Sequence, residues 1–552
     1  MMDAKPWLAH YDEGVPPTID YRQVPLPEIL AANIRDYPGR TALYFLGFRL
    51  SYADLGGMID RFAAALAGFG IGKGDRVAIL LPNTIPCVAA YHATLRLGAV
   101  VVMNNPLYTD RELIHQLNDS GAVCLVTLDL LAGRMAGLRS ETAIRRIVHT
   151  SLEDYLPPAL KAARVVPTAE VAPAADLYPW CALLEEQVPM TEIAPVAMDD
   201  LAMLQYTGGT TGVAKGAMLT HGNISRQLQQ VDAWFPAFTR ENDEVMPGAL
   251  PFFHVMGLTT SMNYSLYLGW SNVLVPKPQP DQLIDTLDKF RPGFVSMVPT
   301  MYIGILRHPR IDSLDLSCIK GCFSGSVPLP VEVINEFRAR TGATISEGFG
   351  LSESCPVTHI NPCMGRTKIG SIGLPLPDTD CRIVDLVDGS TDVAPGEAGE
   401  LIVKGPQVMA GYWNRPDETA ATLRDGWLFT GDIATMDGEG YFYIVDRKKD
   451  MIISGGYNVY PREIDEVFFA HPKMMEACAI GVPHSTRGEQ IKVFVVLKPG
   501  ETATAAEMID FCRERLAAYK LPTMVAFCKE LPKSTVGKVL RKDLRRMAAD
   551  EP

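Results

Sequence analysis

Short apolar segments alternate with segments of helical periodicity up to about residue 450 of this chain. Arg76–Leu81 predicts a strand, residues 85–97 a helix and Ala99–Met103 a second strand, and the alternation returns at Phe294–Val298. Parallel strands need a long crossover, usually a helix, so this alternation is typical of α/β domains with largely parallel sheets. We therefore predict the α/β fold class, with βα-type sheets in most of the chain.

A chain of 552 residues, 47% of them hydrophobic, is too long for one hydrophobic core. Over Asp378–Tyr443 the pattern changes to β-type runs divided by Gly, Pro and Asp turns, which predicts a smaller β-rich subdomain. The charged run Asp446–Asp450 lies between two predicted strands and is the best hinge candidate. We predict a large N-terminal domain over residues 1–446 and a small, mobile α+β C-terminal domain over residues 447–552.

The net charge of −13 argues against nonspecific nucleic-acid binding. The charge is unevenly distributed, because residues 447–552 contain 18 Lys and Arg against 14 Asp and Glu, whereas the residues before them carry a net charge of −17. A small basic module beside a large acidic one suggests that the small module contacts anionic ligands.

The N-terminal residues do not contain a basic region followed by an apolar stretch, and no segment reaches about 18 uninterrupted apolar residues. We therefore expect a cytoplasmic protein without an integral membrane segment, and peripheral membrane contact stays open. The 11 cysteines show no pairing pattern, so we expect reduced thiols in the core. The dispersed histidines argue against a transition-metal site, and the oligomeric state does not follow from the sequence.

A loop rich in glycine and threonine follows the apolar run Leu201–Leu204 and ends in one lysine. Glycines let the backbone approach a phosphate, threonine hydroxyls donate hydrogen bonds to its oxygens, and the lysine supplies positive charge. The P-loop of the common ATPases needs Gly-Lys followed by Ser or Thr, whereas here Ala214 precedes the lysine and Gly216 follows it. The loop therefore predicts polyphosphate binding by a different ATP chemistry. Its binding residues are Thr207, Gly208, Gly209, Thr210, Thr211, Gly212 and Lys215.

Four further segments carry residue types that suit the reaction of a carboxylate with ATP. They are Leu250–Gly257 with His254, Ser346–Glu353, Trp427–Asp432 with the later Arg447, and the C-terminal positions Lys449, Gly456 and Lys538. Together with the loop, and in this order, the segments resemble the adenylate-forming (AMP-binding) enzymes, most of all the bacterial fatty-acid CoA ligases. The resemblance extends from about Pro25 to Lys542.

Five of these side chains are suited to holding an adenylate. Phe349 offers a ring that can stack on adenine, Ser352 a hydroxyl for the α-phosphate, and Glu353 a carboxylate for Mg²⁺. Asp432 can accept hydrogen bonds from both ribose hydroxyls, and Arg447 can donate to ribose or phosphate. The family more often has Tyr and Thr at positions 349 and 352, and both replacements keep the needed chemical group.

The resemblance implies a nucleotide site, an acyl pocket and a CoA site. The ATP or AMP site comprises the loop residues with Ser324, Gly325, Ser326, Glu347, Gly348, Phe349, Gly350, Leu351, Ser352, Asp432, Ile444, Arg447 and Lys538. The acyl pocket comprises His254, Val255, Met256, Ser324 and Gly350, and the CoA site comprises Ser454, Gly455 and Gly456. The catalytic residues implied are Lys538, Lys215, Glu353 and His254, the Mg²⁺ ligands Glu353 and Thr207, and the hinge Lys449.

The reaction implied has two halves. A carboxylate attacks the α-phosphorus of ATP to give acyl-AMP and pyrophosphate, and the thiol of CoA then attacks acyl-AMP to give acyl-CoA and AMP. The resemblance implies that the small domain rotates about Lys449 between the halves, withdrawing Lys538 and presenting Gly456. Apolar residues after His254 are consistent with a hydrocarbon substrate, and the resemblance implies a medium- or long-chain fatty acid.

Three alternatives stay open at this point. The same chemistry could act on a dicarboxylic, alicyclic or aryl acid, where a buried Arg or Lys would favour a dicarboxylate and an aromatic pocket floor an aryl ring. A carrier-loading adenylation enzyme is disfavoured because no carrier segment follows Lys538. A silent ATP- or acyl-binding protein is disfavoured because every expected catalytic position holds a suitable residue.

Overall fold

The computed structural model describes residues 5–207, 214–454, 457–484, 488–534 and 538–550. The chain forms two compact units. The large unit consists of Trp7–Asp380 with Lys404–Leu428, and the small unit consists mainly of Cys381–Val403 with the residues from Phe429 onward.

The strands, in chain order, are β1 (Thr41–Phe45), β2 (Phe48–Ser51), β3 (Arg76–Leu80), β4 (Val100–Met103), β5 (Cys124–Leu128), β6 (Arg146–Thr150), β7 (Leu177–Pro179), β8 (Leu201–Thr207), β9 (Lys215–Thr220), β10 (Val245–Gly248), β11 (Ser271–Leu274), β12 (Phe294–Met297), β13 (Gly321–Ser324), β14 (Ile345–Gly350), β15 (Val357–Ile360), β16 (Leu374–Pro375), β17 (Asp380–Val384), β18 (Gly399–Lys404), β19 (Leu423–Arg424), β20 (Trp427–Met436), β21 (Phe442–Arg447), β22 (Ile452–Ser454), β23 (Tyr457–Val459), β24 (Met474–His484), β25 (Gly488–Leu497) and β26 (Met524–Phe527).

The α-helices are α1 (Leu26–Asp36), α2 (Tyr52–Gly68), α3 (Ile85–Arg96), α4 (Asp110–Ser120), α5 (Asp129–Gly137), α6 (Pro158–Ala162), α7 (Trp180–Glu185), α8 (His221–Trp234), α9 (Val255–Gly257), α10 (Tyr264–Leu268), α11 (Pro280–Phe290), α12 (Pro299–Leu306), α13 (Val331–Thr341), α14 (Pro416–Thr422), α15 (Pro461–Phe469), α16 (Ala505–Arg513) and α17 (Arg541–Asp550).

A seven-stranded sheet in the order β7-β6-β5-β3-β4-β8-β9 forms one layer of the large unit. The strands from β7 to β8 are parallel, and β9 is antiparallel to β8. The predicted strand, helix and strand over residues 76–103 are confirmed as β3, α3 and β4, and α3 begins after Thr84, whose hydroxyl accepts a hydrogen bond from the amide of Cys87. These central strands are buried, which explains their nearly continuous apolar sequences.

A second sheet of the large unit has the order β12-β13-β14-β15-β16, with β12 to β14 parallel and β15 and β16 antiparallel to their neighbours. Its core includes Leu283, Ile305 and Phe337, which come from the helices α11, α12 and α13. A third sheet has the order β10-β11-β1-β2. The predicted α/β class is confirmed.

The small unit contains two sheets. In the first, β17, β18 and β20 are neighbours in that order, and β21 pairs with β20. In the second, β23, β22, β25 and β24 are neighbours, and β26 pairs with β25 in parallel. The core of the second sheet includes Ile464 and Phe468 from α15 and Met508 from α16, which confirms an α+β arrangement at the C-terminal end.

The compact units differ from the predicted division between residues 446 and 447. Residues 381–403 and 429–446 group with the C-terminal residues, because β17, β18, β20 and β21 form one sheet and side chains of α15 and α17 bond to β21. Where a moving C-terminal body begins stays a prediction. No helix in the described ranges is long and apolar enough to cross a membrane.

Candidate active site

Strands β8 and β9 form an antiparallel hairpin on either side of the predicted polyphosphate loop. Thr207 pairs with Lys215, and Tyr206 pairs with Gly216. The hairpin therefore places the threonine and the lysine opposite each other at the ends of the loop. The other predicted loop residues, Gly208, Gly209, Thr210, Thr211 and Gly212, lie outside the described residues.

Tyr412 lies between two predicted catalytic residues of the large unit. The Nζ atom of Lys215 is 4.9 Å from the centroid of the Tyr412 ring, which is a cation–π distance. The Tyr412 hydroxyl donates a hydrogen bond to Glu353 Oε1 at 2.7 Å. Burial and the Glu353 carboxylate both raise the pKa of Tyr412, so the phenol stays a proton donor. The structure thus brings Lys215 and Glu353 together through one ring.

The backbone around Tyr412 fixes this arrangement. The amide of Met218 on β9 donates to the carbonyl of Gly411 at 2.8 Å. The amide of Met409 donates to the carbonyl of Glu353 at 2.8 Å. The segment Met409–Trp413 is therefore bonded to the β8–β9 hairpin on one side and to the turn that contains Glu353 on the other.

Asp119, near the end of α4, anchors the strand that leads into the loop. The Tyr206 hydroxyl donates to Asp119 Oδ2 at 2.7 Å, and Trp413 Nε1 donates to the backbone carbonyl of Asp119 at 3.0 Å. Arg415 forms an ion pair with Asp119 Oδ1 at 3.2 Å. The Asp119 carboxylate thus binds both Tyr206 on β8 and Arg415, which follows Tyr412, and so fixes the position of β8 relative to that segment.

The segment Ser346–Glu353 runs along β14 into a short 3₁₀ turn, Ser352–Ser354. Phe349 packs edge-on against His359, with ring centroids 6.1 Å apart. A Cβ atom at Gly350 would lie 1.7 Å from the carbonyl oxygen of Pro356, so only glycine fits there. The predicted residues Glu347, Gly348, Leu351 and Ser352 lie on the same strand and turn, and Glu347 Oε1 accepts a hydrogen bond from the amide of Leu329.

His254 lies at the N-terminus of α9. Its Nδ1 atom accepts a hydrogen bond from the amide of Met256 at 3.3 Å, which fixes the ring over the first turn. Val255 and Met256 are buried. The helix continues into a π-helical turn, Leu258–Asn263, which is fully buried, and such turns are frequent at functional sites.

Two amide side chains hold the His254 segment against the seven-stranded sheet. Asn83 Nδ2 donates to the carbonyls of Gly248 and Leu250 at 2.8 Å each, and Asn83 Oδ1 accepts from the amide of Phe252. Gln205 on β8 donates to the carbonyl of Phe253 at 3.1 Å. Strand β8, which leads into the predicted polyphosphate loop, is thus bonded directly to the predicted acyl segment.

The predicted loop Ser324–Ser326 contacts the acyl segment. Ser326 Oγ lies 3.4 Å from the sulfur of Met256. A Cβ atom at Gly325 would lie 3.2 Å from Met256 Cε and 3.4 Å from the carbonyl oxygen of Gly348. Ser324 is buried, and its hydroxyl has no hydrogen-bond partner among the described residues. The structure therefore places residues 256, 324–326 and 348 at one locus, with an unsatisfied hydroxyl there.

A small apolar cavity of about 10 Å³ lies next to this locus in the large unit. Thr260, on the π-helical turn, lines it and donates a hydrogen bond to the carbonyl of Met256 at 2.7 Å. Phe323, the neighbour of Ser324, also lines it. The remaining lining residues are Val231, Phe235, Tyr264, Phe294, Val357 and Ile360. The lining is aliphatic and aromatic apart from the hydroxyls of Thr260 and Tyr264, and it carries no charge.

The small unit brings Asp432 and Arg447 together. They are paired positions on the antiparallel strands β20 and β21, and Arg447 Nε lies 2.6 Å from Asp432 Oδ1. The side chain of Asp432 is buried, whereas that of Arg447 is partly exposed. The predicted ribose ligand Asp432 and Arg447, which is predicted to donate to ribose or phosphate, therefore form one ion pair. Ile444 lies on the same strand as Arg447.

Lys538 shares the electrostatic surroundings of this pair. Its side chain reaches solvent, yet desolvation by the surrounding protein lowers the pKa of Lys538 to about 8. The positive charges of Arg447 and Lys449 act in the same direction, and the carboxylate of Asp432 acts in the opposite one. The amide of Lys538 donates to Ser534 Oγ at 3.1 Å, and its carbonyl accepts from the amide of Ser534 at 2.8 Å.

Lys449, the predicted hinge, lies in a turn directly after β21. Desolvation and the charge of Arg447 lower the pKa of Lys449 to about 8. Ser454, a predicted CoA residue, is buried at the end of β22. The two glycines that follow it, Gly455 and Gly456, lie outside the described residues.

Three residues that contact the predicted site residues were not predicted from the sequence: Tyr412, Asn83 and Asp119. The run Gly411-Tyr412-Trp413 carried a weak signal, namely two aromatic residues beside a glycine. Asn83 and Asp119 carried none, because single polar residues in loops and helix ends are common. Their roles appear only once distant segments are paired.

Comparison with known proteins agrees with this geometry. Residues 30–413 match the family described as AMP-binding enzyme, and residues 463–538 match the AMP-binding enzyme C-terminal domain. A long-chain-fatty-acid–CoA ligase of Bacillus subtilis (strain 168) is 45% identical over 99% of this chain and 98% of its own. A feruloyl-CoA synthase of Amycolatopsis sp is 37% identical over 92% of this chain and 96% of its own. The solved structure of ATP-bound MatB from Rhodopseudomonas palustris superposes with a TM-score of 0.85, at 29% identity, over 96% of this chain and 99% of that one.

The fold and the site define an adenylate-forming enzyme with a large α/β unit and a smaller unit that is α+β at its C-terminal end. The chain belongs to the AMP-binding enzyme family, and the predicted family is confirmed.

Proposed function

We propose that this protein is an AMP-forming acid–thiol ligase that converts a fatty acid, ATP and CoA into acyl-CoA, AMP and pyrophosphate. The observation that carries the proposal is the arrangement of Lys215, Tyr412 and Glu353 beside the phosphate hairpin. It supports the proposal because it brings together a cation and a carboxylate, the groups that a polyphosphate and its counter-ion require. The full-length relative named a long-chain-fatty-acid–CoA ligase supports the choice of acid and of thiol.

In the first half-reaction, an oxygen of the acid forms a bond to the α-phosphorus of ATP while the bond to the pyrophosphate oxygen breaks. Negative charge grows on the α-phosphate and the leaving group, so fixed cations contribute most to catalysis. Lys215, together with Thr207 and the loop glycines, binds the phosphates that leave as pyrophosphate and stabilises their negative charge. Lys538 stabilises the negative charge on the α-phosphate, and Asp432 with Arg447 binds the ribose.

The residues present fit a magnesium ion, because Glu353 and Thr207 offer a carboxylate and a hydroxyl, which are the hard oxygen ligands that Mg²⁺ prefers beside substrate phosphates. When bound, the ion would neutralise phosphate charge. Tyr412 keeps one oxygen of Glu353 hydrogen-bonded, which orients the carboxylate.

In the second half-reaction, the sulfur of CoA attacks the carbonyl carbon of acyl-AMP and AMP leaves. Ser454 with Gly455 and Gly456 would line the approach of the thiol. A rotation about Lys449 would separate the two halves, so that residues 447–552 act as the mobile domain. Because ATP and CoA are both substrates, we place the enzyme in the cytoplasm.

The apolar cavity supports a hydrocarbon substrate. It lies next to Met256 and Ser324, and none of the described residues that line it is charged, which disfavours a dicarboxylate. Burying each methylene of an acyl chain contributes about 0.8 kcal/mol. At about 10 Å³ the cavity has room for a single water molecule at most, far less than an acyl chain occupies. A long chain therefore requires side chains such as Phe323 to move.

One observation favours an aryl acid as a second candidate substrate. Phe235, Phe294 and Phe323 give the cavity an aromatic lining, and a flat ring packs well on such a surface. The feruloyl-CoA synthase among the relatives fits this candidate.

An assay of CoA-dependent AMP release tests the function. Purified protein, ATP and Mg²⁺ are supplied with linear fatty acids from short to long, and with an aryl and a dicarboxylic acid. We expect kcat/KM to rise with chain length to a maximum. Activity confined to the aryl acid would show that the substrate is an aryl acid and would leave the proposed mechanism unchanged. Pyrophosphate release that does not depend on CoA would refute the proposal of an acid–thiol ligase.

A further inference from the structure

The turn that contains Lys449 separates two sets of contacts within the small unit. Before it, Lys448 Nζ bonds to Glu400 Oε2 on β18 at 2.8 Å, and the amide of Lys448 donates to the carbonyl of Gly431 at 2.9 Å. After it, Asp450 Oδ1 accepts from Arg545 Nη2 on α17 at 2.8 Å. The chain is therefore fixed to the β18–β20 sheet on one side of Lys449 and to the C-terminal helix on the other.

Arg462, at the start of α15, bonds across this turn. Its Nη1 atom donates to the carbonyl of Ile444 at 2.8 Å, and its backbone amide donates to Asp446 Oδ2 at 2.8 Å. Both acceptors lie on β21, before Lys449, whereas Arg462 lies after it. The side chain of Asp446 is buried, with 2% of its surface exposed, so the bond it accepts is shielded from water.

Arg541, at the start of α17, makes a weaker contact of the same kind. Its Nη1 atom lies 3.9 Å from Asp446 Oδ1, and its Nη2 atom bonds to Asp465 Oδ2 at 2.5 Å. Arg541 also follows Lys538 by three positions. The bonds of Arg462 and this contact join the strand that carries Arg447 to the body that carries Lys538.

We propose that Arg462 is a positioning residue for the formation of acyl-AMP, because it latches the C-terminal body to β21 in the arrangement that keeps Lys538 beside Asp432 and Arg447. The inference rests on the proposed function and on a pivot at Lys449. A rotation about that pivot moves Arg462 relative to Ile444 and Asp446, so both of its bonds must break. The latch therefore favours the first half-reaction over the second.

The kinetic test separates the two half-reactions in single turnovers. Pyrophosphate release from acid and ATP measures the first, and acyl-CoA formation from preformed acyl-AMP and CoA measures the second. Arg462→Met removes the bond to Ile444 and the ion pair with Glu466 one turn along α15, and keeps the backbone bond to Asp446. Losing a hydrogen bond from a charged donor changes an equilibrium by about tenfold. We expect the ratio of the first rate to the second to fall several-fold, up to about tenfold.

Arg545→Met is the matched control, because it removes an arginine–aspartate pair that lies entirely after Lys449. It is expected to leave the ratio at the wild-type value, and Arg462→Lys, which keeps a cationic donor, is expected to restore part of it. A purely structural role of Arg462 would slow both half-reactions by the same factor. That result, or an unchanged ratio, would overturn the proposal.

Hydrogen exchange of the amides of residues 447–451 tests the latch without catalysis. We expect faster exchange in Arg462→Met than in wild type, and equal exchange would count against the latch. If wild-type protein formed no acyl-AMP from any acid, the proposed function would have failed, and the exchange result would still decide on the latch.

Discussion

The hydroxyl of Tyr412 donates a hydrogen bond to Oε1 of Glu353 at 2.7 Å, although the two residues are 59 positions apart. The same ring lies under the ammonium of Lys215. Tyr412 therefore links the carboxylate and the cation on which the proposed chemistry with ATP depends, and it orients both at once.

Replacing Tyr412 with phenylalanine tests this link. The ring that supports Lys215 remains, but Glu353 loses a hydrogen-bond donor. A hydrogen bond to a charged group contributes about 1.5–3 kcal/mol, so we expect the Mg²⁺ concentration for half-maximal activity to rise roughly tenfold or more. Initial rates against free Mg²⁺ at saturating ATP measure it. Tyr443→Phe, which removes a tyrosine–carboxylate bond to Asp437, is the control. Equal Mg²⁺ dependence in the two variants would show that Tyr412 does not orient Glu353.

The sequence predicted the fold well where local pattern and burial agree. The strands β3, β4 and β12 were recognisable because a strand buried on both faces has an unbroken apolar sequence. Strand β8 was recognisable from its apolar run, and phosphate binding by the loop after it stays a prediction. Tyr412 and Asn83 were not, because each acts through a partner that only the tertiary fold brings near. The grouping of residues 429–446 with the C-terminal unit was missed for the same reason.

A methyl group at Gly350 should disrupt the strand that leads to Glu353. The added Cβ would meet the backbone oxygen of Pro356 at 1.7 Å, and backbone atoms cannot give way as a flexible side chain does. We expect Gly350→Ala to destabilise the large unit by about 2 kcal/mol or more and to reduce activity severely. Gly72→Ala, where the new atom would contact nothing within 4 Å, is the control. Thermal unfolding of both variants gives the answer, and a Gly350→Ala protein as stable as the control would contradict this geometry.

The aromatic lining of the cavity should set the preferred acyl chain length. Phe294→Leu shortens one wall, so we expect the optimum to move to chains a few carbons longer, at a stability cost of about 1 kcal/mol. The profile of kcat/KM against chain length measures the shift. Phe337→Leu changes an equally buried phenylalanine of the large unit outside the cavity and should leave the optimum in place. A common profile for both variants would mean that the acyl chain lies elsewhere.

The charge on Lys538 should limit the first half-reaction at alkaline pH. Its pKa is lowered from the usual value of 10.5 to about 8, and only the protonated form stabilises the α-phosphate. Activity should therefore be full below pH 8 and fall as the pH rises through that value. Because kcat/KM for ATP reports groups of the free enzyme, its profile for acyl-AMP formation should show the falling limb. At saturating ATP the bound phosphates favour the charged lysine, so the limb should move to higher pH.

Lys449 also titrates near pH 8, so the assignment of the limb needs two variants. Lys538→Arg stays charged across this range and should remove the limb, even if its rate is lower. Lys449→Arg should keep the limb where it is, because Lys538 is unchanged. Thioester formation from preformed acyl-AMP should show no such limb in any of these proteins, because the proposed rotation withdraws Lys538 before that step. If the falling limb disappeared in Lys449→Arg and remained in Lys538→Arg, the titrating group would be Lys449, and the proposed role of Lys538 would be wrong.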